Sequence, residues 1–303
     1  MFNLTYPTKP PTRPMAPVQW FGGKGNLLNQ ILPLIPYAQG YIEPFGGGWS
    51  VFFARKPSPS ECYNDLDGNL VNLMRVIRNP ETCAELERRL KLTLYAREEK
   101  ALAWKLLKTK TYADNIERAW ALFVVINQSF RAGQNSSWGF SKVPKDGKAG
   151  NVNAYQKRLM FFEKWLDRLK DAQIDNQDAV KVMYNFDSAE TVFYCDPPYL
   201  QATRKTKNDY AHEMTDEQHL IFLQACKAAQ GAVVISGYDN ELYRSELEGW
   251  ELRTFDVTCA AAGRTRLSDL KGKGAGKEKQ PRVECVWRNK RALELSGAVK
   301  TLF

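Results

Sequence analysis

Histidine is nearly absent from this chain: His212 and His219 are the only two among 303 residues. The six cysteines, Cys62, Cys83, Cys195, Cys226, Cys259 and Cys285, are scattered and form no Cys-x-x-Cys pair. With so few imidazoles and no paired thiols, a zinc site is not expected. Long apolar runs are missing as well. No stretch of about 18 apolar residues is available to cross a bilayer, and no signal-peptide pattern is present, so a reduced, cytoplasmic setting is expected. Acids are outnumbered, 34 Asp and Glu against 43 Lys and Arg, which leaves a formal charge of +9. Solubility alone would account for that excess; its sharper reading is a polyanionic partner, nucleic acid.

What is present suffices for a core. Hydrophobic residues make up 44% of the chain and charged ones 25%, which suits one large domain or a domain with an insertion. The leader is different. Prolines at 7, 10, 11, 14 and 17 point to an extended tail over 1–17.

The most informative stretch is Val192-Phe193-Tyr194-Cys195-Asp196-Pro197-Pro198-Tyr199. Four β-prone residues read as a buried strand, and the two prolines force the chain out at its C-terminal end. Ligands bind at that end of open α/β sheets. A carboxylate, rigid carbonyls and the Tyr199 ring suit a planar, amine-bearing ring.

Earlier segments have the layout of a nucleotide-type site. Trp20-Phe21-Gly22-Gly23-Lys24 precedes a helical pattern of Leu27, Leu28, Ile31 and Leu32, although a capped surface helix explains it nearly as well. Gly40 to Phe53 reads as strand, glycine-rich turn and helix; the dinucleotide fingerprint is incomplete because Val51 holds the third glycine position. Glu61 to Asp65 reads as a second strand ending in an acid. Asp65 suits ribose hydroxyls, or caps the next helix, which uses Leu66, Leu70, Leu73, Met74 and Ile77.

From about 80 to 170 the pattern is helical and basic. Ile116, Ala119, Trp120, Phe123, Val124 and Asn127 mark a helix over 115–127, and Tyr155, Leu159, Phe162, Leu166 and Leu169 mark another over about 152–169. The loop 128–142 between them is rich in Gln, Asn, Ser, Arg and aromatics, groups that contact base edges and phosphates or wedge into a stack; an ordinary hairpin is the plainer alternative. Thr203 to Asn208 adds hydrogen-bonding and cationic groups. Thr215 caps a further helix, and strands fit 231–236, 251–257 and 282–287. The Gly-Lys run between residues 263 and 281, read as mobile, lacks the spacing of a phosphate loop.

In this order the segments resemble the Dam-like DNA N6-adenine methyltransferases, D12 class with alpha motif order. The carriers are Trp20–Lys24, Glu43–Phe53, Asn64-Asp65, the helical insert, Asp196–Tyr199, and then Thr215–His219, Val234–Tyr238 and Val283–Trp287, spanning roughly 18 to 290. The resemblance implies an α/β fold: a Rossmann-like S-adenosylmethionine-dependent methyltransferase sheet with a mostly helical target-recognition insert. The catalytic domain would occupy 18–78 and 172–303, and the insert 79–171, with its read-out loop at 128–142.

By the same resemblance, Trp20, Lys24, Phe45, Gly46, Gly47, Asp65 and Asp178 would hold S-adenosyl-L-methionine, with Asp196 adjoining it. Asp196, Pro197 and Tyr199 would form the target-base pocket. Ser129, Phe130, Arg131, Asn135, Trp138, Arg204, Lys205 and Lys207 would contact double-stranded DNA. The implied reaction is direct in-line methyl transfer to a flipped adenine, with no metal required, and a cognate restriction endonuclease is a conceivable companion. A cytosine-amine or RNA-adenine methyltransferase, or a cofactor-dependent DNA binder without turnover, would share parts of the pattern. The leading aspartate and motif order favour adenine, and the insert favours duplex DNA. A nicotinamide-dependent dehydrogenase would leave the insert and Asp196–Tyr199 unexplained. Two features depart from the family. Trp49 stands where a small residue is usual, either packed under the next helix or narrowing the cofactor site. The read-out loop differs from those that read GATC, so that target is not carried over.

Overall fold

Apolar runs bounded by glycine, proline and acids become nine strands among the described residues of a computed structural model, which cover 16–18, 23–130, 136–200, 213–259 and 280–300. In chain order they are β1 (Gly40–Glu43), β2 (Ser60–Asn64), β3 (Pro144–Lys145), β4 (Lys148–Ala149), β5 (Gln173–Asp175), β6 (Thr191–Cys195), β7 (Ala232–Tyr238), β8 (Glu251–Cys259) and β9 (Gln280–Arg288). The chain divides into two units. One comprises Met1–Leu32 and Phe45–Asp178, the other Pro33–Pro44 and Ala179–Phe303.

In the second unit the strands lie in the order β1-β6-β7-β9-β8. β6 runs parallel to β1 and β7, whereas β9 runs antiparallel to β7 and β8. All five residues of β6 and the first six of β7 are buried, as expected for parallel strands covered on both faces. The helix Asp216–Ala228 begins with the expected cap: Thr215 and Gln218 form a reciprocal capping box.

In the first unit β2 and β5 pair in parallel, and β3 and β4 form a small hairpin. The expected helix over 115–127 is present as Asn115–Gln128, burying Ala119, Phe123 and Val124. Two expectations needed correction. The single helix over 152–169 is two, Gly150–Leu159 and Phe162–Leu169, separated at Met160 and Phe161. That break resets the helical phase, so Trp165 is buried while Leu166 is only half-buried. After β2, the helix Gly68–Arg78 is capped by Asp67, whose side chain accepts from the Asn69 amide. Leu66 therefore lies outside it and is 52% exposed.

A buried ion cluster ties this unit together. Glu61, on β2, accepts from Arg55 at 3.2 Å and from Arg168 Nη2 at 2.9 Å, and Arg168 Nη1 pairs with its other oxygen. The Arg168 guanidinium also sits 3.6 Å from the Phe52 ring centre. One carboxylate thus serves two cations from separate helical segments. Removing it would take a charged partner from both in a low-dielectric setting.

Ala16 and Pro17, at the end of the proline-rich leader, are anchored: their carbonyls accept from Arg158 Nε at 3.0 Å and Asn127 Nδ2 at 3.2 Å. No described helix is long and apolar enough to cross a membrane.

Candidate active site

The C-terminal end of β6 carries the candidate base site, within the second unit. Register explains its composition. Cys195 pairs with Ile235, so the next position, Asp196, comes level with Ser236, and alternation brings Tyr194 to the same face as Asp196. Tyr238 pairs with Glu284 across β7 and β9, which puts Glu284 on the face shared by Ser236 and Tyr238.

Hydrogen bonds follow that layout. The Ser236 hydroxyl donates to Asp196 Oδ1 at 3.1 Å, and the Tyr194 hydroxyl lies 3.0 Å from Ser236 Oγ. With Ser236 donating onward, Tyr194 is the donor in that pair. Burial, with the charge of Asp196 next, pushes the Tyr194 phenol well above its ordinary value, so it retains the proton it donates. Tyr199 donates to Glu284 Oε1 at 2.6 Å, and its ring meets Tyr238 edge-on at 4.4 Å. Both Tyr199 and Glu284 are buried. Asp196 itself is partly exposed.

The candidate cofactor residues lie in the first unit. After Phe45, Gly46 approaches Tyr63 so closely that a Cβ there would stand 1.9 Å from a ring carbon. Gly47 has φ +50° and donates its amide to Asp65 Oδ2 at 2.8 Å, while Tyr63 donates to the Gly47 carbonyl at 3.0 Å. Asp65 Oδ1 accepts from the Asp67 amide at 2.7 Å. The acid at the end of β2 therefore shapes the glycine turn as well as the following helix entry. Trp49 is packed under the next helix: it is 1% exposed, stacks on Phe52 at 4.2 Å and meets Tyr63 edge-on at 3.7 Å. It adopts φ 65°, the left-handed conformation in which glycine costs least.

Lys24 is buried, Phe45 is partly buried and Asp178 is exposed. Sequence reasoning missed Asn64 and Asn176. Asn64 exchanges hydrogen bonds with Gln177, donating at 2.9 Å and accepting at 2.8 Å, and Asn176 donates to the Asp65 carbonyl at 2.7 Å. These amides join the loops that carry Asp65 and Asp178. An asparagine ending a strand was the available signal.

Residues 128–142 have a hairpin base. Ser129 bridges Trp138, Phe130 donates to the Ser137 carbonyl at 2.8 Å, and Gly139 donates to the Gln128 carbonyl at 2.8 Å. Buried Gln128 accepts from the Ala96 amide and donates to the Leu94 carbonyl. Ser129 spends its hydroxyl on the Val125 carbonyl, and Trp138 packs against Tyr95, Phe140 and the Arg97 guanidinium. Phe130 and Phe140 are exposed. Trp20, Arg131, Asn135, Arg204, Lys205 and Lys207 lie outside the described residues, as does the Gly-Lys run. Among the described residues no group of three or more His, Cys, Asp or Glu is arranged to hold a metal.

Parallel strands, a glycine turn backed by an acid, and a strand that exits through Asp-Pro-Pro-Tyr define an α/β protein. The chain belongs to the family of D12 class N6 adenine-specific DNA methyltransferases, whose pattern matches residues 20–254. A DNA N-6-adenine-methyltransferase of Escherichia phage P1 is 27% identical over 242 residues, 74% of this chain and 30% of that relative. The chain therefore spans less than a third of that relative's length. A structure of the rRNA methyltransferase AviRa from Streptomyces viridochromogenes covers 89% of this chain and 86% of its own, at 9% identity and a TM-score of 0.39.

Proposed function

We propose that this protein transfers a methyl group from S-adenosyl-L-methionine to the exocyclic N6 amine of adenine in double-stranded DNA. The observation that carries the reading is Asp196, hydrogen-bonded to Ser236 at the end of β6, in a chain of the D12 family.

The donor set of the first unit fits the cofactor chemically. Lys24 suits its carboxylate, Phe45 its adenine face, and Asp65 its ribose hydroxyls. Asp178 suits the adenine amine, and Gly46 and Gly47 allow close backbone approach. Trp20 is assigned to the same group on the family resemblance. Bound there, S-adenosylmethionine supplies an electrophilic sulfonium methyl.

The residues at the end of β6 have a different task. An adenine amine is a weak nucleophile because its lone pair is delocalised into the ring. Asp196 and the Pro197 carbonyl accept hydrogen bonds from its two N–H groups, which favours a pyramidal nitrogen and frees the lone pair; the nitrogen sheds one proton on gaining the methyl. Most of the acceleration then comes from alignment and preorganised acceptors. The base must first leave the duplex, at a cost of roughly a few kcal/mol. Stacking on Tyr199, about 1–3 kcal/mol per base in comparable cases, offsets part of that. The +9 charge favours DNA, with Phe130, Arg131, Asn135, Trp138, Arg204, Lys205 and Lys207 as the assigned contacts, while buried Ser129 serves the hairpin base instead.

Tritiated methyl transfer to matched duplex DNA, single-stranded DNA and RNA tests the reading. Label should enter adenine of the duplex. Label confined to RNA or to cytosine would overturn the substrate assignment.

A further inference from the structure

Two side chains just beyond β6 are each held by a buried polar partner, Asp196 by Ser236 on β7 and Tyr199 by Glu284 on β9. We propose that Tyr194, Ser236 and Glu284 are positioning residues for methyl transfer: the first two orient the Asp196 carboxylate and Glu284 orients the Tyr199 ring. This rests on the reading of Asp196 and Tyr199 as the groups that hold the base.

The geometry is serial. Tyr194 donates to Ser236, and Ser236 donates to Asp196 Oδ1, at 3.0 and 3.1 Å. Ser236 and Tyr194 are both buried, so neither bond is exchanged cheaply for water. A carboxylate following a strand rotates about two side-chain bonds; a fixed donor on one oxygen sets its plane, which an acceptor for a planar amine requires. Tyr199 has the corresponding problem. Its ring follows two prolines, and its hydroxyl is fixed by Glu284 at 2.6 Å while Tyr238 meets the ring edge-on at 4.4 Å. Glu284 is a buried carboxylate within the apolar stretch of its strand, flanked by Val283 and by Cys285, Val286 and Trp287. A polar residue there reduces core burial, and its carboxylate accepts from the Tyr199 hydroxyl.

Serial action makes a prediction that a general packing role does not. Tyr194→Phe should matter only while Ser236 is present to pass on its effect, and Glu284→Gln only while Tyr199 keeps its hydroxyl. All these substitutions are nearly isosteric. The test measures kcat/KM for methyl transfer to duplex DNA, with equilibrium S-adenosylmethionine binding and thermal unfolding as controls. Ser236→Ala should lower kcat/KM by about 10- to 100-fold, as expected for losing a hydrogen bond to a charged group. Tyr194→Phe should cost roughly 3- to 10-fold alone, and less than about twofold in the Ser236→Ala background. Glu284→Gln should cost about 10-fold alone and less than about twofold in the Tyr199→Phe background. Cofactor affinity should stay within about twofold throughout, because none of the substituted residues is among those assigned to hold the cofactor.

Single variants indistinguishable from wild type, or paired losses that multiply, overturn the proposal. If that happens while wild type methylates duplex DNA and Asp196→Ala does not, the functional reading survives and only the positioning roles fall. A wild-type protein without methyl transfer overturns both.

Discussion

The ring of Tyr63 occupies the space that a side chain at residue 46 would need, with the nearest ring carbon 1.9 Å from a built Cβ. Tyr63 cannot simply withdraw, because its hydroxyl donates to the Gly47 carbonyl and its ring is wedged against Trp49. Gly46→Ala should therefore displace the turn and cost stability of about 1–3 kcal/mol through overpacking. Because that turn carries the proposed cofactor contacts, S-adenosylmethionine affinity should fall by at least about 10-fold, the equivalent of one such loss. Calorimetric titration checks the affinity. An unchanged dissociation constant would remove the turn from the cofactor site.

Trp49 sets two effects against each other. Its left-handed backbone costs about 1–2 kcal/mol, which glycine would relieve. Its buried ring contributes more: truncating a core tryptophan costs about 3–5 kcal/mol. The buried indole N–H, which has no hydrogen-bond partner among the described residues, reduces that benefit. Trp49→Gly should therefore destabilise the protein by about 1–3 kcal/mol net in urea unfolding. A stabilised variant would show that backbone strain dominates.

Glu61 pairs with both Arg55 and Arg168 within a buried cluster. Glu61→Gln keeps the shape and removes the charge, leaving two cations poorly compensated. The expected loss is about 3–5 kcal/mol in the same unfolding assay. A loss near that of an exposed pair, under about 1 kcal/mol, would mean that water replaces the carboxylate readily.

Buried thiols predict an alkaline limit. Burial, reinforced by Asp175, pushes Cys62 up to about 12; burial with Glu87 pushes Cys83 to about 11, and burial with Asp239 pushes Cys285 to about 11. The folded values exceed the unfolded one, so the unfolded state loses these protons first. Their contribution is intact below the ordinary thiol value of 9.0 and is lost as pH rises from there through 11–12. Denaturant midpoints should hold up to about pH 8.5 and fall above it, with buried Tyr194 and Tyr243 adding to the decline above the ordinary phenol value of about 10. A midpoint that stays level to pH 11 would contradict this account of the thiols.

Much of the site was legible in local sequence. Two prolines ending an apolar run marked the exit of β6, and glycines before an apolar helix marked the turn at Gly46 and Gly47. Thr215 announced its own capping box. Contacts that depend on strand register were not legible. Nothing local in Val283-Glu284-Cys285 shows that β9 pairs antiparallel with β7 and so brings Glu284 to Tyr199. The cap at Asp67 rather than Asp65 was ambiguous because two acids lie within one turn of the helix start. The break at Met160 and Phe161 has no proline or glycine to announce it.

The most direct measurement is nucleoside mass spectrometry of duplex DNA incubated with S-adenosylmethionine and either wild type or Asp196→Ala. Wild type should generate N6-methyldeoxyadenosine, and Asp196→Ala, folded and still binding the cofactor, should generate none above background. Comparable N6-methyldeoxyadenosine from both proteins would contradict the assignment of Asp196 as the acceptor that holds the target amine.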